Sequence, residues 1–203
     1  MVLSRRQLLQ RSAAAGAFLA ISSNPALAQL ARAPRLIPWR NWSGAQACLP
    51  LERLAPKDLD ELVQVIRHAP GKVRPVGSGH SFSALVPTDG TLLSLSFFNG
   101  LLDHDPGSLQ ATFAAGTPMS RMGPALKAVG QALPNMADID YQTLAGAIST
   151  STHGTGVGFT SYSAGVTGLQ LVTAQGEVLE CDAGREHEVF NVARVSLGAL
   201  GVA

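Results

Sequence analysis

A single histidine stands within a glycine-rich turn in the first half of the chain. The turn is Gly77–His80, and it follows the short apolar stretch Val73–Val76. Glycine permits positive φ angles and lets backbone N–H groups come close to a bound anion. The imidazole can then form a bond with the molecule that carries this anion. The arrangement predicts a nucleotide cofactor rather than a turn of the core.

A second glycine-rich segment also carries one histidine, His153. Between Tyr141 and Gly176 the sequence contains no Asp, Glu, Lys or Arg, and its centre is dense in hydroxyls and glycines. A solvated loop of this length would carry charge, so we expect the segment to line a binding site. Hydroxyls and backbone N–H groups can hold a pyrophosphate without a lysine. Two such loops together favour a cofactor site over two ordinary tight turns.

Other cofactor and catalytic motifs are absent or incomplete. The sequence has neither a G-x-G-x-x-G that opens a helix nor a G-x-x-x-x-G-K-[ST] loop, which disfavours a dinucleotide fold and a P-loop. The stretch Gly79–Ser83 approaches the G-x-S-x-G elbow but ends in serine, so a periplasmic hydrolase that uses Ser81 or Ser83 ranks last. A zinc site on His80 and His153 would need a third ligand from scattered candidates, and we expect no metal.

Composition and charge limit the class of partner. The 203 residues are 46% hydrophobic and 14% charged, with a formal net charge of +1, which indicates a folded domain and no electrostatic surface for nucleic acid. A small neutral or weakly charged ligand fits this balance better. Cys48 and Cys181 lie too far apart in sequence to indicate a disulfide framework or a zinc site, so we expect two unpaired structural cysteines.

Residues 1–28 have the pattern of an export signal. Arg5-Arg6 precedes the apolar run Ser12–Ile21, and Ala26-Leu27-Ala28 has the small-x-small pattern of a signal-peptidase site before Gln29. The apolar run is too short to cross about 30 Å of hydrocarbon at about 1.5 Å per residue, so we expect no stable membrane span. The pattern predicts twin-arginine export to the periplasm or the medium, a route that carries folded, cofactor-loaded proteins.

The remaining sequence predicts a mixture of helices and strands after an irregular lead-in at residues 29–40. Helices are predicted where apolar stripes follow start signals, and strands where short apolar or alternating runs end at turn residues. The helices run from a capping box at Asp58 to a stop at Gly71, from Pro118 to Val129 and from Glu186 to Val195; the strands are Val73–Val76, Thr91–Phe98, Leu109–Ala114, Val166–Thr173 and Glu177–Cys181. The pair Gln175-Gly176 predicts a two-residue hairpin turn. This order is neither a regular βαβ array nor all-β, so we predict an α+β fold.

Seven motifs connect the sequence to a known family. They are Val76–Ser81, Ala114–Thr117, Leu133–Asn135, Thr143–Ala147, Thr152–Gly156, Leu171–Glu180 and Leu197–Gly201. They occur in the order in which sugar-1,4-lactone oxidases carry them. The chain resembles gulonolactone and arabinonolactone oxidases most, and alditol oxidases closely, within the vanillyl-alcohol oxidase superfamily of flavoproteins.

The resemblance implies a cofactor and the residues that hold it. It implies FAD in a PCMH-type domain of two α+β subdomains that spans residues 41–203, with His80 bonded covalently to the flavin 8α-methyl group. Such a bond fixes the ring and raises its potential. The cofactor-binding residues that it implies are Pro75, Val76, Gly77, Ser78, Gly79, His80, Ser81, Thr143, Ile148, Ser151, Thr152, His153, Gly154 and, at the adenine end, Val202.

The resemblance also implies a reaction. Members oxidise the CH–OH group of a sugar 1,4-lactone, or of an alditol, by hydride transfer to flavin N5, and electrons pass to oxygen or another acceptor. Their catalytic side chains lie mostly in a following C-terminal cap domain. The chain stops at Gly201–Ala203 within an apolar run, so we expect a fragment or truncated gene product without the cap. An inactive flavin-binding module is the alternative expectation.

Overall fold

The computed structural model describes residues 36–203. The predicted signal peptide and the first part of the predicted lead-in lie outside the described residues. The strands are β1 (Trp39–Arg40), β2 (Ala47–Cys48), β3 (Glu52–Leu54), β4 (Val73–Val76), β5 (Thr91–Ser94), β6 (Leu101–Asp105), β7 (Gln110–Phe113), β8 (Gly168–Val172) and β9 (Val178–Asp182). The helices are α1 (Leu59–His68), α2 (Met119–Ala128), α3 (Leu144–Ser149), α4 (His187–Ala193) and a 3-10 helix at Tyr162–Gly165. None of these helices has the length and apolar content needed to cross a bilayer.

The strands form one parallel sheet and three antiparallel pairs. The parallel sheet has the order β3-β5-β4, and helix α1 connects its two outer strands. The pairs are β1-β2, β6-β7 and β8-β9, all antiparallel. Parallel and antiparallel strands combined with separate helices confirm the predicted α+β fold.

Helix α1 begins as its sequence predicts but ends earlier. The Asp58 carboxylate accepts a 2.8 Å hydrogen bond from the Glu61 backbone N–H, and the Glu61 carboxylate accepts one of 2.8 Å from the Lys57 N–H. This reciprocal pair caps the helix. The predicted stop at Gly71 was wrong, because Pro70 forces the preceding residue, Ala69, out of helical geometry with ψ of 129°.

Several predicted boundaries also needed correction in the middle of the chain. The predicted strand Thr91–Phe98 ends at Ser94, and a turn follows it. The predicted strand Leu109–Ala114 is β7, but its antiparallel partner β6 was missed because Leu101–Asp105 is polar and mostly exposed. Helix α2 forms as predicted, with Pro118 at its N-cap.

The uncharged segment between Tyr141 and Gly176 is not one loop. It contains helix α3 and the 3-10 helix, both missed because neither has a side-chain N-cap hydrogen bond and each is at most two turns long. The turn between β8 and β9 has three residues, Ala174–Gly176, rather than the predicted two: Thr173 and Glu177 close it, as in a type I turn with a bulge. The last predicted helix is shorter than expected and begins after Glu186, which has a φ of 49°.

Two separate apolar clusters hold these elements together. One joins α1, β5 and β8 to the chain end through Leu62, Ile66, Leu93, Leu95, Val172 and Val202. The other joins α2 to α3 through Met119, Met122 and Ala147, with Phe113, Leu133, Leu144 and Tyr162 packed around them. Residues 36–203 form one compact unit, so the two subdomains that the resemblance implies stay a prediction. Both cysteines are free, and Cys181 is buried, where desolvation raises the pKa of its thiol.

Candidate functional site

Strand β4 delivers the glycine-rich turn to one wall of a large cavity. The cavity has a volume of about 980 Å³, at the upper end of the roughly 300–1,000 Å³ that small-molecule sites occupy. Its walls come from five stretches of chain: Arg74–Val86, Ser94–Asn99, Ala115–Arg121, Ile139–Ser151 and Ala193–Ala203 contribute lining residues. The carboxyl ends of the adjacent parallel strands β4 and β5 therefore open onto one site, as in other sheets that bind ligands at this edge.

Two glycines give the turn its shape. Gly79 has a φ of 69°, in the left-handed region that favours glycine. Gly77 lies so close to Thr143 that an added Cβ would stand 2.2 Å from the Thr143 Oγ1 atom. The turn after β4 and the start of α3 therefore approach each other more closely than a residue with a side chain at position 77 would permit.

The N-terminal hairpin β1-β2 supports the same turn from the outside. The Asn41 carboxamide donates a 3.0 Å hydrogen bond to the Ser81 carbonyl, and the Gln46 carboxamide donates one of 3.2 Å to the Phe82 carbonyl. The Trp42 backbone N–H donates a 2.9 Å bond to the Gly79 carbonyl. This hairpin begins inside the segment predicted as an irregular lead-in, so its role at the turn was missed.

The charge of the cavity suits an anionic ligand. Among the described residues that line it, Arg74 and Arg121 are cationic and none is acidic. No described residue accepts a hydrogen bond from the backbone N–H groups of Ser78 to Phe82. Free N–H groups in a tight turn beside guanidinium groups form a site for phosphate oxygens.

Two buried polar atoms at the cavity have no partner among the described residues. The Arg74 Nε atom and the Gln142 Oε1 atom are buried without a hydrogen bond, although Gln142 donates through Nε2 to the Thr152 hydroxyl at 3.0 Å. Buried polar atoms of this kind are costly unless something bonds to them. Together with the free N–H groups, they fit a ligand that carries both phosphate oxygens and hydrogen-bond donors, as FAD does.

The cavity brings together most of the predicted site residues. Its lining includes Pro75, Val76, Gly77, Ser78, Gly79, His80, Ser81, Thr143, Ile148 and Ser151. Sequence reasoning missed Arg74, Arg121 and Gln142, although Arg74 and Gln142 each stand beside a residue that it selected. Arg74, a cationic residue next to the glycine turn, was the feature of the sequence that could have indicated a phosphate contact.

Four predicted residues lie outside this cavity. The Thr152 hydroxyl accepts a hydrogen bond from the Gln142 carboxamide, and exposed His153 has its Nδ1 atom 2.9 Å from the Gly154 carbonyl. Gly154 packs against Asn135 and Met136. Val202 is buried, pairs with Val172 and lines a smaller cavity of about 470 Å³. Direct cofactor contact by these four residues stays a prediction.

The zinc alternative receives no geometric support. Within residues 36–203, no three His, Cys, Asp or Glu side chains are grouped so that they could share a metal ion. His80 lines the cavity and His153 does not, so the two histidines do not share a binding site in this cavity.

Comparison with curated proteins identifies similar sequences. An L-gulono-1,4-lactone dehydrogenase of Mycobacterium tuberculosis is 42% identical over 167 residues, which cover 81% of this chain and 38% of that protein. An L-gulonolactone oxidase of Bos taurus is 34% identical and a D-arabinono-1,4-lactone oxidase of Eremothecium gossypii is 36% identical; the matches cover 82% and 81% of this chain and 38% and 32% of those proteins. The chain thus spans less than two-fifths of the length of these relatives.

The fold and a family comparison agree with this result. The 6-hydroxy-D-nicotine oxidase of Arthrobacter nicotinovorans superposes with a TM-score of 0.68 over 76% of this chain and 35% of that chain, at 19% identity, which shows a shared fold. Residues 50–182 match the family described as "FAD binding domain", and they include the glycine turn, α3 and the β8-β9 hairpin. Because this match covers well over half of the chain and the cavity fits the cofactor, the protein belongs to the FAD-binding domain family, and its cofactor is FAD.

Proposed function

We propose that the chain is the FAD-binding part of an exported oxidoreductase that oxidises the CH–OH group of a sugar 1,4-lactone. The main support is the 42% identity to an L-gulono-1,4-lactone dehydrogenase along 81% of the chain. Two further relatives, from a mammal and a fungus, are also lactone oxidases by name. When bound, FAD supplies a hydride acceptor for the carbinol carbon and passes the electrons to oxygen or another acceptor.

The residues of this chain bind and orient the cofactor. The free N–H groups of Ser78 to Phe82 and the guanidinium groups of Arg74 and Arg121 hold the phosphates. The Gln142 carboxamide oxygen accepts a hydrogen bond from the ligand. We assign the acceptor of the substrate's hydroxyl proton to the cap domain that the lactone oxidase resemblance implies, because the described lining holds no carboxylate.

The His80 imidazole is the covalent tether in this proposal. It lines the cavity in the same turn that binds the phosphates, so the flavin ring and the diphosphate are held by one short stretch of chain. A tether of this kind prevents loss of the cofactor after export, where free FAD is not supplied. Twin-arginine export is part of the same proposal and rests on Arg5-Arg6 and the Ala26–Ala28 cleavage pattern.

Spectroscopy and acid precipitation test the proposal. The purified chain, loaded with FAD, is expected to show flavin absorbance and to keep its flavin after acid precipitation. His80→Ala is expected to bind FAD but to release it in acid, whereas His104→Ala, on exposed strand β6 outside the cavity, retains it. A wild-type protein that never binds FAD would overturn the proposal, and complete release of wild-type flavin in acid would overturn the tether alone. Turnover of sugar 1,4-lactones by the FAD-loaded protein tests the substrate class.

A further inference from the structure

The His80 imidazole stacks with two aromatic rings. The Trp42 indole stacks on one side, with ring centroids 5.0 Å apart and planes inclined by 18°. The Tyr141 phenol stacks as well, with centroids 5.9 Å apart and planes inclined by 5°. The three rings are therefore nearly parallel, at separations typical of aromatic pairs.

Neither aromatic side chain is placed there by core packing. Trp42 is 66% exposed and Tyr141 is 69% exposed, so burial of apolar area does not account for their positions. Neither residue lines the cavity, whereas His80 does. Their common contact is the imidazole, which indicates that they act on His80 rather than on the ligand.

Hydrogen bonds connect the backbones of both aromatic residues to the histidine turn. The Trp42 N–H donates to the Gly79 carbonyl at 2.9 Å, and the Ser78 hydroxyl donates to the Tyr141 carbonyl. Each anchor lies within two residues of His80 in sequence. These bonds hold the backbone of each aromatic residue next to the turn that carries the imidazole.

We propose that Trp42 and Tyr141 are positioning residues that orient the His80 imidazole for its attachment to FAD. The inference rests on the proposed function, because it concerns the covalent tether. Rings stacked on the imidazole oppose its rotation, and stacking does not cover the ring edge that carries both nitrogens. A fixed orientation lowers the entropic cost of bringing the nitrogen to the 8α-carbon.

The same rings assist the chemistry of attachment. An imidazole nitrogen of His80 forms a bond to the 8α-carbon, which replaces one C–H bond of the methyl group and the N–H bond of the imidazole. The two hydrogens leave as two protons and two electrons, which reduce molecular oxygen to hydrogen peroxide. Positive charge develops on the imidazole as its lone pair forms the new bond, and flanking aromatic faces stabilise a cationic ring.

The rate of covalent attachment tests the proposal. Apoprotein is mixed with FAD in aerobic buffer, and acid-stable flavin on the polypeptide is measured over time. Trp42→Ala and Tyr141→Ala are each expected to slow attachment roughly tenfold, the size of one partly desolvated cation–π contact. Trp42→Phe and Tyr141→Phe keep an aromatic face and are expected to recover most of the rate. Phe159→Ala removes an exposed aromatic side chain outside the cavity and serves as the matched control.

A second measurement does not depend on FAD. In the NMR spectrum of the apoprotein, ring currents of the flanking aromatics are expected to shift the carbon-bound imidazole protons of His80 upfield, and each alanine variant is expected to remove part of that shift. Attachment at the wild-type rate in both alanine variants would overturn the proposal, as would unshifted imidazole protons in the wild type. By contrast, a wild-type protein with no acid-stable flavin would overturn the covalent tether itself. The NMR shift would then still show whether Trp42 and Tyr141 stack on His80.

Discussion

The carboxamide of Asn41 donates a 3.0 Å hydrogen bond to the carbonyl of Ser81, 40 positions later in the chain. The same side chain accepts a 3.0 Å bond from the Gln46 N–H, and only 5% of Asn41 is exposed. One buried amide thus closes its own hairpin and holds the turn that carries His80. Hydrogen bonds between side chain and backbone of this kind bridge segments that are distant in sequence.

Replacement of Asn41 by alanine is expected to destabilise the protein by about 1–3 kcal/mol, because the half-buried Gln46 N–H and Ser81 carbonyl lose their partner. Urea unfolding measures this loss, and FAD titration should show weaker binding as the turn loosens. Asn41→Asp keeps the acceptor for Gln46 but places a buried carboxylate oxygen against the Ser81 carbonyl oxygen, so at neutral pH it should destabilise the protein at least as much as Asn41→Ala. Equal stability of Asn41→Ala and wild type would contradict the role assigned to the hairpin.

Gly77→Ala is expected to lower the free energy of unfolding by roughly 1–3 kcal/mol and to weaken FAD binding, because the new Cβ would overlap Thr143 Oγ1. Thr143→Ala removes that oxygen, so the double variant should recover part of both losses. Gly123→Ala, in α2 where nothing lies within 4 Å of the new Cβ, is the control and should be neutral or stabilising. If the effects of Gly77→Ala and Thr143→Ala on thermal unfolding were additive, overlap with Thr143 would not be the reason that position 77 requires glycine.

Arg74→Gln is expected to weaken binding of FAD about tenfold, as for the loss of a charged hydrogen bond, while the affinity for riboflavin, which has no phosphate, stays unchanged. Fluorescence titration with both ligands gives the comparison. Arg185→Gln provides the control, since Arg185 pairs with Glu180 on the exposed surface and lies outside the cavity. Equal loss of affinity for both ligands would show that Arg74 does not act on the phosphates.

The turn between β6 and β7 should give the protein a pH-dependent contribution to stability. The Ser108 hydroxyl, first, and then the Gly107 N–H donate to the Asp105 carboxylate and hold its pKa below the usual 3.8. Because the folded-state pKa is lowered, this stabilisation is complete above the ordinary carboxyl pKa and disappears as pH falls through the folded-state value. Ser108→Ala should therefore lower the urea midpoint at neutral pH, and the difference from wild type should vanish well below pH 3.8. A difference that persists in acid would rule out this charge-based cause.

Local sequence signals were sufficient where one residue decides a boundary. The Asp58 cap, the β4 strand and the glycine turn all follow from side chains near in sequence. The end of α1 differs from the prediction at Gly71 because Pro70 keeps Ala69 out of helical geometry.

The candidate site was only partly predictable for a physical reason. Chemistry that lies within one turn, as at His80, can be recognised from its residue types. The support of that turn comes from Asn41, Trp42 and Tyr141, which meet it only through tertiary contacts. Helix α3 was missed in the uncharged segment because packing of Ala147 against α2, rather than local propensity, stabilises it.

The hydrogen bonds that hold the histidine turn join side chains of the hairpin to main-chain atoms of the turn. Asn41 and Gln46 contribute side chains, whereas Ser81 and Phe82 contribute only main-chain carbonyl oxygens. Any amino acid supplies such an oxygen, so positions 81 and 82 can exchange their side chains and keep these supports. The hairpin cannot do the same. Relatives of this protein should therefore differ more freely at position 82, which has no predicted role at the cofactor, than at positions 41 and 46, and a library randomised at these three positions should return that imbalance.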